Sequence, residues 1–520
     1  MNGTLAKVHS LVLPGVYRDS VFLMKLSDRA RDLSGAGQVT ALMGTQRNKD
    51  ILGRSGLLTR DIEAAGPDDL VVAIDAAPEL ASIAEKTVRD LLSRPPRANR
   101  SPVESLAPKS LPMACERLGE ANLALISVAG EYAKYEAAQA LSAGLDVFLY
   151  SDNISLADEL ALKRLAAGKG RIVMGPDCGA AVIHNTPLGF ANRMRRGTVG
   201  IISSTGTGLQ EVGCLLDRCG LGVSSAYGVG ERDLVDDIGG LSTKAALTRL
   251  ADNPKTQFII VIGNCPGAEI RRNLAGLYRR LGKPVLVRYA GVGEYDMEDA
   301  NGIPHAGTLR DAVAMTVERI ASVLDTSGLD LPSPGMRERD AAPGPGFVRG
   351  LFSGGALCRE SADICRALLP GAMYANVRVQ GIGLIDGRER IGGHVFLDMG
   401  ADGFTMGRPH PLLRPERKLA GIVRELCDPG VSVILTDVIL GNATVPDYAS
   451  QLVRAVDRAA AITGGKSREK RVVVNVCGTE SDTPSRSSQI AVLQKSGVSV
   501  LGNNARAAVH AAKLSLGGTA

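Results

Sequence analysis

Short apolar runs alternate with helix-spaced segments along most of this chain, and that alternation restricts it to layered α/β architectures. The runs Leu70–Asp75, Leu123–Val128, Val147–Tyr150 and Arg171–Met174 read as buried parallel strands. An unbroken apolar run suits a strand covered on both faces. Tyr132–Ala143 and Leu156–Ala167, lying between these runs, have helical spacing. The pattern returns over 198–320, with strands near Ile201, Phe258–Ile262 and Val285–Val287. It returns again over 347–520, with strands at Val348–Phe352, Val395–Asp398, Val431–Asp437, Val472–Val476 and Val498–Leu501. Strands that alternate with helices imply doubly wound sheets, here three α/β units.

Two stretches interrupt the pattern. Arg94–Lys109 is basic and rich in Pro and Ser, and reads as a long loop inside the first unit. Asp325–Gly346 is rich in Pro, Gly and charge, and reads as an interdomain linker. The domain reading is therefore 1–195 for a Rossmann-like unit with its loop at 94–110, 196–324 for a second unit, 325–346 for the linker and 347–520 for a third.

Composition narrows the function. Aromatics are 3% of residues, Trp is absent and the net charge is +5, which disfavours base-stacking nucleic-acid binders and polyanion partners. No apolar run approaches membrane-spanning length and the N-terminus has no secretory pattern, so a cytoplasmic protein is expected. The nine Cys form no C-x-x-C pair. Reduced core thiols are expected, and no His/Cys/Asp spacing indicates a metal site.

Two segments share a strand–turn–helix design that suits an anion. Thr198–Ser203 leads into Ser204, Thr205, Gly206, Thr207 and Gly208, followed by Gln210 and Glu211. Val472–Val476 leads into Cys477, Gly478, Thr479 and Glu480–Asp482, before Thr483 and Pro484 at an expected helix start. A helix N-terminus offers unpaired N–H groups and the positive end of the dipole to phosphate. Glu211 reads either as a general base or as a capping carboxylate. Gly175, Pro176, Asp177 and Cys178 end a strand in a forced turn, which reads either as a substrate border or as a crossover. Cys178 has no His within its own turn to activate its thiol. Gly407–Pro411 spends two prolines to hold Arg408 and His410, a planar anion fork beside a proton carrier. The first βα turn, Leu13–Ser20, has one Gly where a dinucleotide turn has several, although Arg18, Ser20, Arg47 and Lys49 could meet an anion.

These segments resemble known ones. RGTVGIISSTGTGLQEV (196–212) is similar to the α subunit of succinyl-CoA synthetase. FVRGLFSGGALCRESADICRAL (347–368), HVFLDMGADGFTMG (394–407) and VVVNVCGTESD (472–482) are similar to the ligase domain of its β subunit. ALISVAGEYA (124–133), VMGPDCG (173–179), GVGERDLVDDIGG (228–240) and GRPHPLL (407–413) resemble the FdrA-type proteins, a fused and shortened branch of that superfamily. The resemblance implies a Rossmann-like, CoA-binding-type domain followed by two flavodoxin-like ligase domains, without the synthetase's ATP-grasp domain. It implies a carbamoyltransferase subunit that exchanges oxalurate and phosphate for oxamate and carbamoyl phosphate. Phosphate would sit at Thr205–Gly208 and at Gly478–Thr479, Arg408 would hold a carboxylate, and His410 or Glu211 would move the proton. Where the synthetase has its phosphohistidine, this chain reads Pro304-His305-Ala306-Gly307 just ahead of a helix, which argues against a phosphocarrier. The expected ligand is phosphate or carbamoyl phosphate, with no resident cofactor. Coenzyme A is the alternative ligand, in an acyl-CoA ligase that would need a separate ATP-grasp partner, and a metabolite-binding scaffold is the third reading. The expected partners are small molecules and other subunits, with a homodimer as a further form, and neither nucleic acid nor membrane.

Overall fold

The computed structural model describes residues 8–16, 18, 20–93, 108–291, 298–299, 302–320, 346–386, 391–405 and 408–517. The chain divides into two compact units, Met1–Lys109 and Ser110–Ala520. The first runs β1 (Val8–Leu13), α1 (Ser20–Ser34), β2 (Gln38–Met43), α2 (Gln46–Arg54), α3 (Arg60–Ala64), β3 (Leu70–Asp75) and α4 (Pro78–Ser93). Its sheet order is β1-β3-β2, with β3 antiparallel to both neighbours. This corrects the expectation of a parallel strand at 70–75 in a sheet shared with 123–174. It also turns the 94–109 stretch from a loop within a domain into the region where the two units divide. The crossover through α1 leaves a strand's width between β1 and β2, and β3 fills that gap. Leu70, Val72 and Ile74 of β3 face the core with α1 and α4, while Val71 and Ala73 face Leu52, Leu57 and Ile62. A central antiparallel strand covered on both faces carries the same unbroken apolar run as a parallel one. The expected anion contacts at 47–49 are weakened here, because Lys49 Nζ donates to the carbonyls of Glu63 and Ala65 at the end of α3.

The second unit opens with α5 (Leu111–Leu118), β4 (Leu123–Ile126), α6 (Gly130–Ser142), β5 (Asp146–Leu149), α7 (Leu156–Gly168) and β6 (Val173–Met174). These strands form a parallel sheet in the order β4-β5-β6. Next come β7 (Ala180–Ile183), β8 (Thr186–Gly189), β9 (Arg196–Ser203), α8 (Gly206–Arg218), β10 (Val223–Gly228), α9 (Leu241–Asp252), β11 (Phe258–Asn264), α10 (Ala268–Arg280), β12 (Val285–Ala290), β13 (Glu298–Asp299), β14 (Ile303–Pro304) and α11 (Leu309–Ile320). They make a six-stranded sheet, β12-β11-β9-β10-β7-β8, parallel from β9 to β12 with an antiparallel hairpin at one edge. Most of the 325–346 linker lies outside the described residues.

The last part runs β15 (Phe347–Phe352), α12 (Gly355–Leu368), β16 (Met373–Ala375), β17 (Gly383–Leu384), β18 (His394–Asp398), α13 (Asp402–Thr405), α14 (Glu416–Cys427), β19 (Val431–Ile439), α15 (Tyr448–Ile462), β20 (Arg471–Cys477), α16 (Arg486–Lys495), β21 (Ser499–Leu501) and α17 (Asn504–Ser515). Its seven-stranded sheet, β17-β16-β18-β15-β19-β20-β21, is parallel throughout. Both larger sheets are doubly wound. Among the described residues no helix is long and apolar enough to cross a membrane.

Helices α8, α11, α12 and α17 meet where the two doubly wound domains join. Two buried glutamates cap across that joint. Glu211 on α8 accepts from the Asn504 N–H at the start of α17 (3.1 Å), and Glu360 on α12 accepts from the Leu309 N–H at the start of α11 (2.7 Å). Each domain therefore satisfies an orphan donor of the other, with a carboxylate at the positive end of a helix. The three-stranded part is tied in by Lys163 of α7. Its fully buried ammonium reaches Asp233 Oδ1, Glu159 Oε1 and the Val229 carbonyl.

Candidate anion site at two facing helix starts

In an open α/β sheet a ligand binds beyond the strand C-termini, at the point where the chain reverses its winding direction. Strand β9 lies between β10 and β11, and β15 lies between β18 and β19, so the reversals fall at the ends of β9 and β15. From β9 the chain enters α8 through Ser204 and Thr205, and from β15 it enters α12 through Ser353 and Gly354. The two starts touch. A Cβ on Gly354 would lie 2.4 Å from Thr207 Cγ2 and 2.7 Å from its Oγ1, and one on Gly208 would lie 3.4 Å from Ala356 Cβ.

Thr205 Oγ1 caps α8 by accepting from the Gly208 N–H (3.0 Å). The N–H groups of Gly206 and Thr207, and those of Gly355, Ala356 and Leu357, find no acceptor among the described residues. Ser204 Oγ is buried without a partner. Open, converging donors at two helix N-termini make an anion-binding concavity. A buried triad supports the second start. Asp437 of β19 accepts from the Ser353 N–H (2.8 Å) and Ser353 Oγ (2.7 Å), and the Lys418 ammonium bonds to Ser353 Oγ (2.8 Å) and to Asp437.

The turn 175–179 lies against α8, since a Cβ on Gly206 would meet Gly179 Cα at 3.6 Å. Gly175 has φ +111° and a Cβ there would sit 2.4 Å from the Leu149 carbonyl oxygen, so only Gly fits. Asp177 also has positive φ. The residue is exposed, yet enough protein surrounds its carboxyl for desolvation to act on it. Desolvation, then the charges of Asp402, Asp152, Glu231 and Asp398, push it up to about 7. Asp398, whose charge acts on Asp177, is 8% exposed, and desolvation pushes it up to about 7 as well. Asp398 Oδ1 accepts from the Gly400 N–H (2.8 Å), and a Cβ on Gly355 would lie 3.2 Å from Oδ2.

His410 completes this wall. A Cβ on Gly400 would be 2.5 Å from His410 Nε2, 2.8 Å from the Ser353 carbonyl oxygen and 3.2 Å from Asp398 Oδ1, so the three converge on one residue. His410 Nδ1 accepts from the Leu412 N–H (3.2 Å), which assigns the remaining proton to Nε2. Burial lowers the imidazole to about 4, so it is neutral at pH 7. Its ring lies 5.4 Å from that of Phe190, which the neighbouring domain supplies. Arg408 is exposed, with its backbone N–H on the Thr405 carbonyl.

Several sequence candidates land elsewhere. Gly478 and Thr479 do not form the second anion turn. Strand β20 sits in unreversed order between β19 and β21, and the turn after it is used up in binding the neighbouring domain. Asp482 accepts from the Thr479 N–H, Arg193 N–H and Asn192 Nδ2, and Thr479 Oγ1 donates to the Arg193 carbonyl. The helix that follows is capped by Ser485, not Thr483. Glu211 is not placed to move a proton, because one oxygen serves Asn504 and the other accepts from Asn475 Nδ2 (3.0 Å). His305 Nε2 accepts from the Tyr289 N–H (3.1 Å) and is fixed beside β12. Ser353, Gly354, Gly355 and Asp398 are not among the sequence candidates, although two glycines after a strand at 354–355 carry the signal.

Cys178 is buried, its Sγ 3.3 Å from the Gly228 carbonyl, and burial pushes the thiol up to about 12. Iodoacetamide at pH 8 should label it only after denaturation, and Cys178→Ala should leave anion binding within about twofold. Labelling of the native protein there would mean that the thiol is activated.

The second of the two joined, doubly wound domains carries a family match that makes the chain CoA-ligase-like. Residues 351–514 match the CoA-ligase family, and residues 6–107 match the AllF heavy metal-associated domain. The uncharacterized protein YahF of Escherichia coli K12 is 36% identical across 94% of this chain and 95% of its own. The chain belongs to the family of YahF, among the succinyl-CoA synthetase-like proteins. The succinate–CoA ligase [ADP-forming] α subunit of Methanothermobacter thermautotrophicus is 26% identical over 41% of this chain and 72% of its own. Among solved structures, the dinucleotide-forming acetyl-coenzyme A synthetase 1 of Ca. Korarchaeum cryptofilum is 18% identical, with a TM-score of 0.32 over 76% of this chain and 82% of that one. The heavy-metal match does not extend to a donor set. Residues 6–107 hold no Cys and a single His, His9, whereas soft metals need thiolates.

Proposed function

We propose that this chain is the acyl-phosphate-handling subunit of a carbamoyltransferase, acting between a ureido acid such as oxalurate and inorganic phosphate. The observation that carries this reading is the pair of facing helix starts at Thr205–Thr207 and Gly354–Leu357, with open N–H groups on both. A phosphate held there would attack the ureido carbonyl carbon. The C–N bond breaks, and the P–OH proton passes to the departing amide nitrogen, which yields carbamoyl phosphate and an amide such as oxamate. The N–H groups would stabilise the developing oxyanion charge. His410 offers an Nε2–H to a substrate oxygen, and Arg408 is exposed to take a carboxylate.

The match of residues 351–514 to the CoA-ligase family favours a second reading, an acyl-CoA ligase working with a separate ATP-grasp partner and with coenzyme A as acceptor. One assay separates the two. The protein, alone and with its genomic neighbours, should form carbamoyl phosphate from oxalurate and phosphate without ATP. It should take no label from γ-labelled ATP at His305. ATP-dependent thioester formation without carbamoyl phosphate would replace the first reading with the second.

A further inference from the structure

The groups facing this anion site are mostly acidic, which sets a condition on what binds there. We propose that Asp398 is the proton-carrying group of the site, and that an anion binds between the two helix starts together with one proton on Asp398 Oδ2. This rests on the reading of those helix starts as an anion site.

The geometry supplies the argument. Asp398 is more than nine-tenths buried. Its backbone is clamped on both sides by Asn376, whose Oδ1 accepts from the Asp398 N–H (2.7 Å) and whose Nδ2 donates to the Asp398 carbonyl (2.8 Å). Oδ1 is engaged by the Gly400 N–H. Oδ2 takes no hydrogen bond from any described residue and lies against Gly355, in the first turn of α12. An anion reaching the open N–H groups of that turn therefore meets Oδ2 at close range. Two anions in contact in a water-poor site repel strongly, whereas a carboxylic acid O–H donates a strong, charge-assisted hydrogen bond to an anion.

The surroundings push the same way. Glu231, in the loop after β10, and Asp437 of β19 oppose ionisation of Asp398. The Arg359 guanidinium of α12 favours ionisation, but it also lies 3.6 Å from Glu231 and bonds to Asn264. Lys418 is committed to Asp437 and Ser353. His410 is neutral, and Asp177, which Asp398 and Asp402 both oppose in its ionisation, adds to the acidic surroundings. With Asp398 half-ionised near pH 7, an anion that requires the acid form draws a proton from solvent above that pH and finds one already in place below it.

Calorimetric titration of the full-length protein with sulfate tests this. Sulfate does not itself titrate between pH 5.5 and 8.5. Each titration is run in two buffers that differ in ionisation enthalpy. The wild type should take up about one proton per sulfate at pH 8 and close to none at pH 5.5, with affinity falling roughly tenfold per pH unit above pH 7. Asp398→Asn keeps an acceptor for the Gly400 N–H and should bind sulfate with no proton uptake and a flat pH profile. Asp398→Ser serves if the Asn variant does not fold, and Asp177→Asn should retain the uptake. Sulfate binding without proton uptake in the wild type, or uptake that survives in Asp398→Asn, overturns the role of Asp398 and leaves the helix-start site standing. Absence of sulfate binding at every pH overturns the site itself.

Discussion

Gly354→Val is expected to abolish inorganic phosphate binding while leaving both doubly wound domains folded. The residue is the N-cap of α12, in extended backbone at φ −170°, so the backbone itself tolerates a β-branched residue. The obstacle is Thr207. Its Cγ2, Oγ1 and Cβ would lie 2.4, 2.7 and 3.1 Å from the new Cβ, and Thr207 is buried on α8 with little room to turn. The two helix starts must separate, and a ligand then keeps one set of donors instead of two. Losing a set of oxyanion-type donors costs about 10²–10³-fold, roughly 3–4 kcal/mol. Gly478→Val is the informative contrast. A Cβ there would sit 2.6 Å from Leu440 Cδ1, inside a packed core, so it should lower the melting temperature while phosphate affinity per folded molecule is unchanged. Calorimetric phosphate affinity and melting temperature, measured on both variants, check the pair. Unchanged phosphate affinity in Gly354→Val would remove the helix starts from the binding site.

Lys418→Met should destabilise the 110–520 unit by about 3–5 kcal/mol, the usual cost of leaving one partner of a buried ion pair without the other. Lys418 and Asp437 are both fully buried at the side chain, and the ammonium satisfies Ser353 Oγ and the Asp437 carbonyl as well as the carboxylate. Burial lowers the lysine from its ordinary range, opposed chiefly by Asp437. Methionine matches the length of the stem and leaves Asp437 charged and under-bonded. The double variant Lys418→Met/Asp437→Asn removes the stranded charge and should recover part of the loss. Because Asp437 also holds the Ser353 N–H at the mouth of α12, phosphate affinity should fall with stability in the single variant. Urea unfolding of the three proteins decides. A single-variant loss below about 1 kcal/mol would mean that the pair contributes no more than a surface ion pair.

Much of the architecture was legible in residue order, because apolar periodicity reports burial directly. The runs at Phe258–Ile262, Val348–Phe352, Val431–Asp437 and Val472–Val476 all fall within observed strands. The strand–turn–helix at 198–208 also lies at a true switch point. Strand direction was not legible in the same way. Leu70–Asp75 is buried on both faces, and that pattern is identical for a parallel strand and for the central antiparallel strand it is. The direction depends on where β1 and β2 lie, which is a matter of chain crossover and not of any residue in β3.

The same distinction separates the candidate site residues. Gly478–Asp482 and Ser353–Gly355 are both small polar turns after an apolar strand, and locally each could receive an anion. Strand order places Ser353–Gly355 at the reversal, and the hydrogen bonds of Asp482 hold Gly478–Asp482 against Arg193 and Asn192. Glu211 has a helix-start position that suits a base or a cap, and only the approach of α17 makes it the cap of the other domain. The sequence by itself determined which segments become strands and helices, through burial periodicity and turn chemistry. Tertiary structure decided which helix starts face each other and which carboxyls act on one another. Those relations join residues far apart along the chain, and they exist only once the sheets have closed.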